Sequence, residues 1–246
     1  RQIHVNERST KIQKIPTTIT PLDDILRGGL EKGELGILLA EPKKGKSIGL
    51  IHMGAAALMT RFGRVAHFVL EGTTEQSILR YQSRLSQIEY SRLESDEITD
   101  EENKRLDSIS KKYMNKLDLI PFNKHWSYTV LDIESKIKEM ERAGRKPDLI
   151  VVDYADLLKP SERQESARHD QTAVYRALKQ LAMIHKVAVW TASQARRPDE
   201  DPEKVYTLRA KDISESYEKV RIADLVVTLN QTTKERELGI LRFVVD

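Results

Sequence analysis

Short runs of Val, Ile and Leu alternate along this chain with longer stretches in which apolar residues recur at helical spacing. This alternation is typical of βαβ units, in which helices cover both faces of a mostly parallel sheet. Several short runs contain no polar residue, as expected for strands buried on both sides. The sequence therefore predicts a doubly wound α/β domain, with strands at 35–40, 65–70, 117–121, 149–153, 187–192, 225–229 and 240–245.

The first predicted helix has clear boundary signals. Thr20 can cap its amino end, Pro21 suits its first turn, and the pair Gly28-Gly29 can end it. The highly charged stretch 89–112 predicts a solvated helical excursion from the domain. The predicted helices are 22–27, 46–61, 75–86, 101–114, 130–143 and 168–185.

The composition limits the classes of function. With 41 Lys and Arg against 38 Asp and Glu, the net charge is only +3, so any binding to nucleic acid needs a local basic patch. The chain has no cysteine, which excludes disulfides and thiolate chemistry. No apolar run approaches the roughly 18 residues of a membrane span, and the amino end lacks the apolar core of a signal peptide. A cytoplasmic setting is the expectation.

The two ends of the sequence indicate a piece of a longer protein. The chain starts at Arg1 without methionine and stops at Asp246, directly after an apolar run. Residues 1–15 are polar and basic without a sustained period, which predicts a linker to an upstream domain. Residues 16–246 are predicted to form the α/β domain, truncated at its carboxyl end.

A candidate phosphate-binding loop lies between the first long strand and the helix that follows it. The apolar run 35–40 leads into a polar loop and then a helix beginning with Lys46 and Ser47. Backbone N–H groups there can cradle phosphates, the lysine can reach the β- and γ-phosphates, and the hydroxyl can bind Mg²⁺. Ala40 replaces the first glycine of the general GxxxxGK[ST] pattern. The predicted nucleotide-binding residues are Ala40, Glu41, Pro42, Lys43, Lys44, Gly45, Lys46, Ser47 and Ile48.

Three further polar residues lie where predicted strands end. They are Glu71, Asp153 and Gln194. Because the carboxyl ends of parallel strands meet at one edge of the sheet, we expect these side chains beside the loop. One acid can hold Mg²⁺, a second can polarise water, and a glutamine can hydrogen-bond a γ-phosphate. Taken singly, a strand-end Asp often caps a turn and a strand-end Gln can simply face solvent.

Together these motifs resemble the RecA-like ATPase domain of DnaB-type replicative helicases. Residues 16–35 are similar to the family's PTG…LD…GGL…GEL pattern, with Thr18 in place of glycine. The family's loop commonly begins with Ala and carries Pro two residues later, as in Ala40-Glu41-Pro42. The other matching segments are Leu70-Glu71 with Glu75-Gln76 and Arg80 (SLEM…EQL…R), Val152-Asp153-Tyr154 with Leu157-Leu158 (VIDYLQLM), 193–197 (SQLxR), and 211–216 with Ala223-Asp224 (SDLRESG…AD).

The resemblance implies a P-loop NTPase that uses ATP and Mg²⁺. It implies that Lys46 and Ser47 bind phosphate and Mg²⁺, that Glu71 activates water, that Asp153 orders the metal, and that Gln194 couples hydrolysis to DNA-binding loops. All of these roles are expectations carried over from the family to matching positions.

The family's arginine finger lies in a KNRxG motif just after the last strand. This chain ends at Asp246, before that motif could appear. Lys234 and Arg236 precede the last predicted strand and are poor substitutes. No residue is therefore predicted to act as the finger.

The resemblance also implies partners. It implies a homo-hexamer that translocates on single-stranded DNA and unwinds duplex, with primase or loader contacts and no membrane. DNA contacts are expected at Arg196, Arg197, Arg209 and Lys211, where a solvated loop is an equally good interpretation.

Two other functions stay open at this point. The first is another RecA-like ATPase, either a recombinase paralogue or a clock-type ATPase. The second is a nucleotide-binding loader or scaffold that does not hydrolyse ATP, which would be favoured if Glu71 pointed away from the loop.

Overall fold

A seven-stranded sheet forms the centre of the computed structural model, beside a separate two-stranded sheet. The structure describes residues 13–60, 63–122, 127–163, 166–195, 207–214 and 217–246. Within these segments the strands are β1 (Lys14–Ile15), β2 (Leu30–Glu31), β3 (Leu35–Ala40), β4 (Val65–Val69), β5 (Leu117–Pro121), β6 (Leu149–Asp153), β7 (Ala188–Gln194), β8 (Leu225–Asn230) and β9 (Arg242–Val245).

The order of the strands brings four strand ends together. The large sheet runs β5-β4-β6-β7-β3-β8-β9, and its neighbours are parallel except for the antiparallel pair β8 and β9. Ala40, the last residue of β3, pairs with Gln194, the last residue of β7. Val69 pairs with Asp153 at the ends of β4 and β6. The carboxyl ends of β4, β6, β7 and β3 consequently lie side by side.

Helices connect the strands and cover the sheet. Among the described residues, none of the helices is long and apolar enough to cross a membrane. Short 3₁₀ turns cover Met114–Lys116, Ala155–Leu157 and Ala210–Asp212. The helices are α1 (Thr20–Ile25), α2 (Lys46–Leu58), α3 (Thr74–Ser86), α4 (Tyr90–Glu94), α5 (Asp100–Tyr113), α6 (Val130–Arg142), α7 (Ala167–His185), α8 (Glu218–Ile222) and α9 (Thr233–Glu237).

The core has two halves because β3 is apolar on both faces. Leu35, Ile37 and Leu39 pack on one side of the sheet with apolar residues of α6 and α7. Leu38 and Ala40 pack on the other side with residues of α2 and α3. Since removal of apolar surface from water drives folding on both faces, the strand is fixed between two helical layers and the loop that follows it has a firm base.

A buried polar pair anchors α3 to the sheet. His67 of β4 is fully buried, and its Nδ1 lies 2.9 Å from the hydroxyl of Tyr81 on α3. Burial lowers the pKa of His67 to about 3, so the ring is neutral at physiological pH. A Cβ at Gly54 of α2 would overlap the Tyr81 hydroxyl, so the close approach of α2 and α3 requires glycine there.

The sequence-based prediction of the elements is largely confirmed. All seven predicted strands and all six predicted helices are present, and their ends differ by at most three residues. The excursion 89–112 divides into α4 and α5, and Thr99 and Glu102 form a capping box at the start of α5. The short elements β1, β2, α8 and α9 were not predicted, because segments of so few residues carry no periodic signal.

The predicted cap of the first helix is wrong. Thr20 is the first residue of α1, and Ile19 occupies the cap position without a side-chain hydrogen bond. The carboxylate of Asp23 instead accepts hydrogen bonds from the backbone N–H groups of Thr17 and Thr18, at 2.7 and 3.0 Å. The side chain of Asp23, within α1, therefore fixes the backbone of the segment that leads into this helix.

The last residues assigned to the linker also belong to the folded structure. Lys14 and Ile15 pair with Glu31 and Leu30 as an antiparallel ribbon, and Ile15 is buried. A single isolated apolar residue in a polar stretch gave no sequence signal for this packing. Residues 1–12 of the predicted linker lie outside the described part of the chain.

Candidate functional site

The loop between β3 and α2 ends in a conformation that favours glycine. Gly45 has a φ of 85°, in the left-handed region, and occupies the cap position of α2 without a side-chain hydrogen bond. In any α-helix the first N–H groups lack an acceptor within the helix. Those at the start of α2 are therefore available to an anion in front of the loop.

A cavity of about 480 Å³ opens in front of this helix start. The loop, the chain after β4, helix α3 and the ends of β6 and β7 contribute to its wall. The lining residues are Pro42, Lys43, Gly45, Lys46, Ser47, Ile48, Glu71, Gly72, Gln76, Arg80, Tyr154 and Gln194. The prediction that the loop, Glu71 and Gln194 share one sheet edge is confirmed.

The ammonium group of Lys46 lies across the loop. Its Nζ donates to the backbone carbonyl of Glu41 at 3.5 Å and lies 5.5 Å from the centre of the Tyr154 ring. Burial lowers the pKa of Lys46, and the nearby carboxylates of Glu71 and Asp153 oppose this decrease. The cation is thus partly removed from water next to two acids, where it can meet the charge of a phosphate.

Ser47, which lines the cavity, forms an oxygen pair with Asp153, a buried residue that is not itself part of the lining. The Ser47 hydroxyl donates to Asp153 Oδ1 at 3.2 Å. Burial raises the pKa of Asp153 to about 6; the negative charge of Glu71 adds to this increase, while Ser47, Arg80 and Lys46 oppose it. A hydroxyl and a carboxylate are the kinds of oxygen ligand that Mg²⁺ takes beside phosphates, so the pair fits that metal.

Glu71 and Gln194 lie on either side of this pair. The N–H of Glu71 donates to the carbonyl of Asp153 at 3.2 Å, which holds the chain after β4 against the end of β6. Gln194 is held by its register with Ala40, and its N–H donates to Asp156 Oδ2 at 3.1 Å. Both residues line the cavity.

Three of the predicted nucleotide-binding residues do not line the cavity. Ala40 is fully buried in β3, and Glu41 contributes its carbonyl to Lys46. Lys44 turns toward the end of β8, where its Nζ donates to the carbonyl of Gln231 at 3.2 Å. These residues shape the loop, while the lining residues surround the space in front of it.

Four lining residues had no predicted role: Gly72, Gln76, Arg80 and Tyr154. Gln76 and Arg80 are four positions apart on α3 and therefore share one face of the helix. Tyr81, buried against His67, fixes the orientation of that face. Tyr154 follows Asp153 directly. The helical spacing of Gln76 and Arg80 shortly after a strand was the signal that could have identified them.

The predicted DNA-binding residues are only partly described. Arg196 and Arg197 lie outside the described residues. Arg209 forms an ion pair with the carboxylate of Asp246 at 3.2 Å, and Lys211 is exposed. Neither Arg209 nor Lys211 lines the cavity.

Comparison with known proteins identifies the family. The family model described as DnaB-like helicase C terminal domain matches residues 14–238. The chain belongs to this family. This membership confirms the resemblance inferred from the sequence motifs. It favours the DnaB-type interpretation over the recombinase and clock-type alternatives.

Individual relatives of this DnaB-like domain are helicases of about twice its length. Replicative DNA helicase DnaB of Helicobacter pylori (strain J99 / ATCC 700824) is 30% identical over 227 residues, which cover 90% of this chain and 44% of that protein. The protein of the same name from Geobacillus stearothermophilus is 27% identical over 229 residues, covering 92% and 49% respectively. The chain thus spans about half the length of these curated relatives.

Solved structures share the fold of the DnaB-like domain. One of them, described as an ATPase domain, superposes with a TM-score of 0.81 at 20% identity, over 97% of this chain and 84% of that chain. A second, described as a DnaB-like replicative helicase and its interactions with primase, superposes with a TM-score of 0.79, also at 20% identity, over 97% and 59%. The predicted fold class, a RecA-like doubly wound sheet, is confirmed.

The raised pKa of Asp153 predicts a variant that stabilises the DnaB-like domain in the absence of nucleotide and Mg²⁺. Its ordinary value of 3.8 rises to about 6 in the folded chain, so folded-state stability falls as pH rises from about 4 to about 6. Asp153→Asn removes the free-energy cost of burying a charged carboxylate and keeps an oxygen that accepts from the Ser47 hydroxyl. We expect a gain of about 1–3 kcal/mol at pH 8 that disappears near pH 4, measured by thermal melting.

Asp148→Asn is the matched control. Asp148 lies just before β6, at the opposite edge of the sheet, and accepts from Lys32 Nζ at 2.6 Å and from the N–H of Arg64 at 2.9 Å. The same change there should lower stability at pH 8. A loss of stability at pH 8 in Asp153→Asn as well would refute the assigned burial cost.

Proposed function

We propose that this domain is the ATP-hydrolysing motor of a replicative DNA helicase. The observation that carries the proposal is the cavity in which Lys46, Ser47, Glu71 and Gln194 meet above the buried Asp153. Membership of the DnaB-like helicase C terminal domain family supports the same conclusion. Nucleotide binding alone, as in a scaffold, is less well supported because Glu71 lines the cavity and its charge acts on both Lys46 and Asp153.

The ATP phosphates are proposed to bind at the start of α2. The free N–H groups of the first turn and the positive end of the helix dipole attract the phosphates, and the ammonium of Lys46 meets the β- and γ-phosphates. Ser47 and Asp153 would hold Mg²⁺, which when bound neutralises charge on the phosphates. Within the described residues there is no group of three or more His, Cys, Asp or Glu that could hold a metal ion.

Glu71 and Gln194 are proposed to act on the reaction itself. Glu71 would accept a proton from the attacking water, because it lines the same cavity as Lys46 and its negative charge acts on that lysine. Gln194 would hydrogen-bond the γ-phosphate and lose that bond after hydrolysis. Its position at the end of β7 would pass this change to the chain that follows.

The proposed assembly is a homo-hexamer that moves on single-stranded DNA. A cation from the neighbouring subunit would neutralise charge on the transferring phosphoryl group, an effect worth about 10³–10⁵ in rate where fingers are supplied in trans. Arg196, Arg197, Arg209 and Lys211 are the proposed DNA contacts. Primase or loader contacts are proposed as well, because a structural neighbour is described with its primase interactions.

Two single substitutions separate nucleotide binding from hydrolysis. Lys46→Ala is expected to abolish ATP binding, because it removes the charge that meets the phosphates. Glu71→Gln keeps the shape of the cavity and is expected to bind ATP normally while turnover falls about 10²–10⁴-fold. Isothermal calorimetry and steady-state ATPase assays on both variants measure this. Equal loss of binding in the two variants would overturn the assignment of roles.

The DNA contacts are tested by the salt dependence of binding. For single strands, the logarithm of the binding constant falls by about 0.7 per neutralised phosphate for each decade of salt. Joint replacement of Arg196 and Arg197 by serine should reduce the slope by about 1.4, measured by fluorescence anisotropy. Joint replacement of Lys111 and Lys112, exposed cations on α5, is the control with the same charge change. An unchanged slope in the arginine variant would place the DNA contacts elsewhere in the chain, and an equal decrease in the control would show that the effect is not specific to the arginines.

A further inference from the structure

The carboxylate of Asp156 joins four elements behind the candidate site. Asp156 lies in the 3₁₀ turn Ala155–Leu157 that follows β6. Its Oδ1 accepts from the hydroxyl of Tyr175 on α7 and from Lys219 Nζ on α8, both at 2.8 Å. Its Oδ2 accepts from Ser193 Oγ at 3.0 Å and from the N–H of Gln194 at 3.1 Å, both in β7.

Lys219 is an unusual partner in this cluster because its side chain is fully buried. Its Nζ lies 3.3 Å from Ser193 Oγ and 5.0 Å from the centre of the Tyr175 ring, in addition to the contact with Asp156. Taking two opposite charges out of water costs so much that an apolar pair of similar volume is often as stable or more stable. Stability alone therefore does not explain a buried lysine here.

The ion pair fixes the orientation of the Asp156 carboxylate. With the Lys219 ammonium and the Tyr175 hydroxyl on Oδ1, the other oxygen of Asp156 faces the end of β7. There it accepts a hydrogen bond from the N–H of Gln194, a residue that lines the cavity. An apolar side chain at position 219 could fill the space but could not fix the carboxylate in this orientation.

The same cluster connects Gln194 to the end of β6. Asp156 follows Asp153 by three residues, and the N–H of Ala155 donates to Thr191 Oγ1 at 3.1 Å. Thr191 Oγ1 in turn donates to the carbonyl of Val152 at 2.9 Å. The ends of the two strands that carry Asp153 and Gln194 are thus held together by side chains as well as by the sheet.

We propose that Lys219 is a positioning residue of the nucleotide site: through Asp156 it holds Gln194 at a fixed place relative to Asp153. The proposal rests on the proposed function, since Gln194 is positioned for the γ-phosphate of ATP. Lys219 itself does not line the cavity. Its loss should therefore affect turnover much more than nucleotide binding.

Lys219→Met tests this prediction, because methionine keeps much of the volume and removes the charge. Displacement of a reacting or sensing group by about 1 Å can cost on the order of a hundredfold in rate, so we expect kcat to fall by about ten- to hundredfold. The KM and Kd for Mg-ATP should change by less than about threefold, because the loop, Lys46 and Ser47 keep their places.

Lys179→Met is the matched control. Lys179 is also a helical lysine paired with an aspartate: its Nζ lies 2.7 Å from Asp224 Oδ2 and 2.8 Å from the carbonyl of Gly33. That pair lies at the opposite edge of the sheet, where Asp224 also accepts from the N–H of Leu35. We expect Lys179→Met to lower the melting temperature and to leave kcat within about twofold.

Amide hydrogen exchange gives a readout that does not depend on activity. In Lys219→Met the N–H of Gln194 should exchange faster, whereas amides in the middle of β3 and β8 should keep their rates. If Lys219→Met does not fold, Tyr175→Phe removes a neutral donor to Asp156 and leaves the ion pair intact. It should show the same pattern with a smaller decrease of kcat, about three- to tenfold.

The possible results separate a failure of the proposed function from a failure of the role assigned to Lys219. If the unmodified chain neither binds nor hydrolyses Mg-ATP, the proposed function fails, and the exchange rate of Gln194 still decides whether Lys219 fixes this residue. If Lys219→Met and Lys179→Met lose kcat in equal proportion, or if the Gln194 amide is unchanged in Lys219→Met, Lys219 has only a structural role and the proposal is overturned.

Discussion

The parallel pairing of β3 with β7 and of β4 with β6 determines where the site residues lie. Parallel strands end at a common edge, and the register sets Ala40 beside Gln194 and Val69 beside Asp153. A shift of one residue would turn every side chain to the other face of its strand. The apolar faces of β3, each buried under helices, prevent such a shift. The hydrophobic core thus sets the spacing of the polar site.

The charged groups in and behind the site lower the stability of the folded chain. The buried Asp153 has a pKa of about 6, because folding places its carboxylate in a poorly hydrated position near the negative charge of Glu71. Lys219 and Asp156 add an ion pair near the same strand ends, in which the lysine side chain is fully buried and the aspartate side chain is mostly buried. Such groups are costly for folding and are typical of functional sites, where charge must be oriented before a ligand arrives.

The sequence was sufficient for the long elements and for the residues at strand ends. Runs such as Leu35–Ala40 and Leu149–Asp153 identified the sheet, and the order of strand, loop and helix located Gly45, Lys46 and Ser47. The roles proposed for Glu71 and Gln194 stay predictions, although their positions were predicted correctly.

The Lys219–Asp156 pair could not have been predicted from the sequence. Helix α8 has only five residues, too few for a periodic signal, and Lys219 lies in a charged stretch that indicates exposure. Its burial arises from the packing of α7, α8 and β7 around one carboxylate. Gln76 and Arg80 are an intermediate case, since their spacing was visible but the orientation of α3 depends on Tyr81 and His67.

A structure of the chain with Mg²⁺ and a non-hydrolysable ATP analogue tests the central claim most directly. The account predicts the β- and γ-phosphates against the backbone of Gly45 to Ser47, with the metal about 2.1 Å from Ser47 Oγ and the Gln194 side chain directed at the γ-phosphate. A nucleotide bound elsewhere on the domain, or phosphates that leave Lys46 and Ser47 without contact, would contradict it.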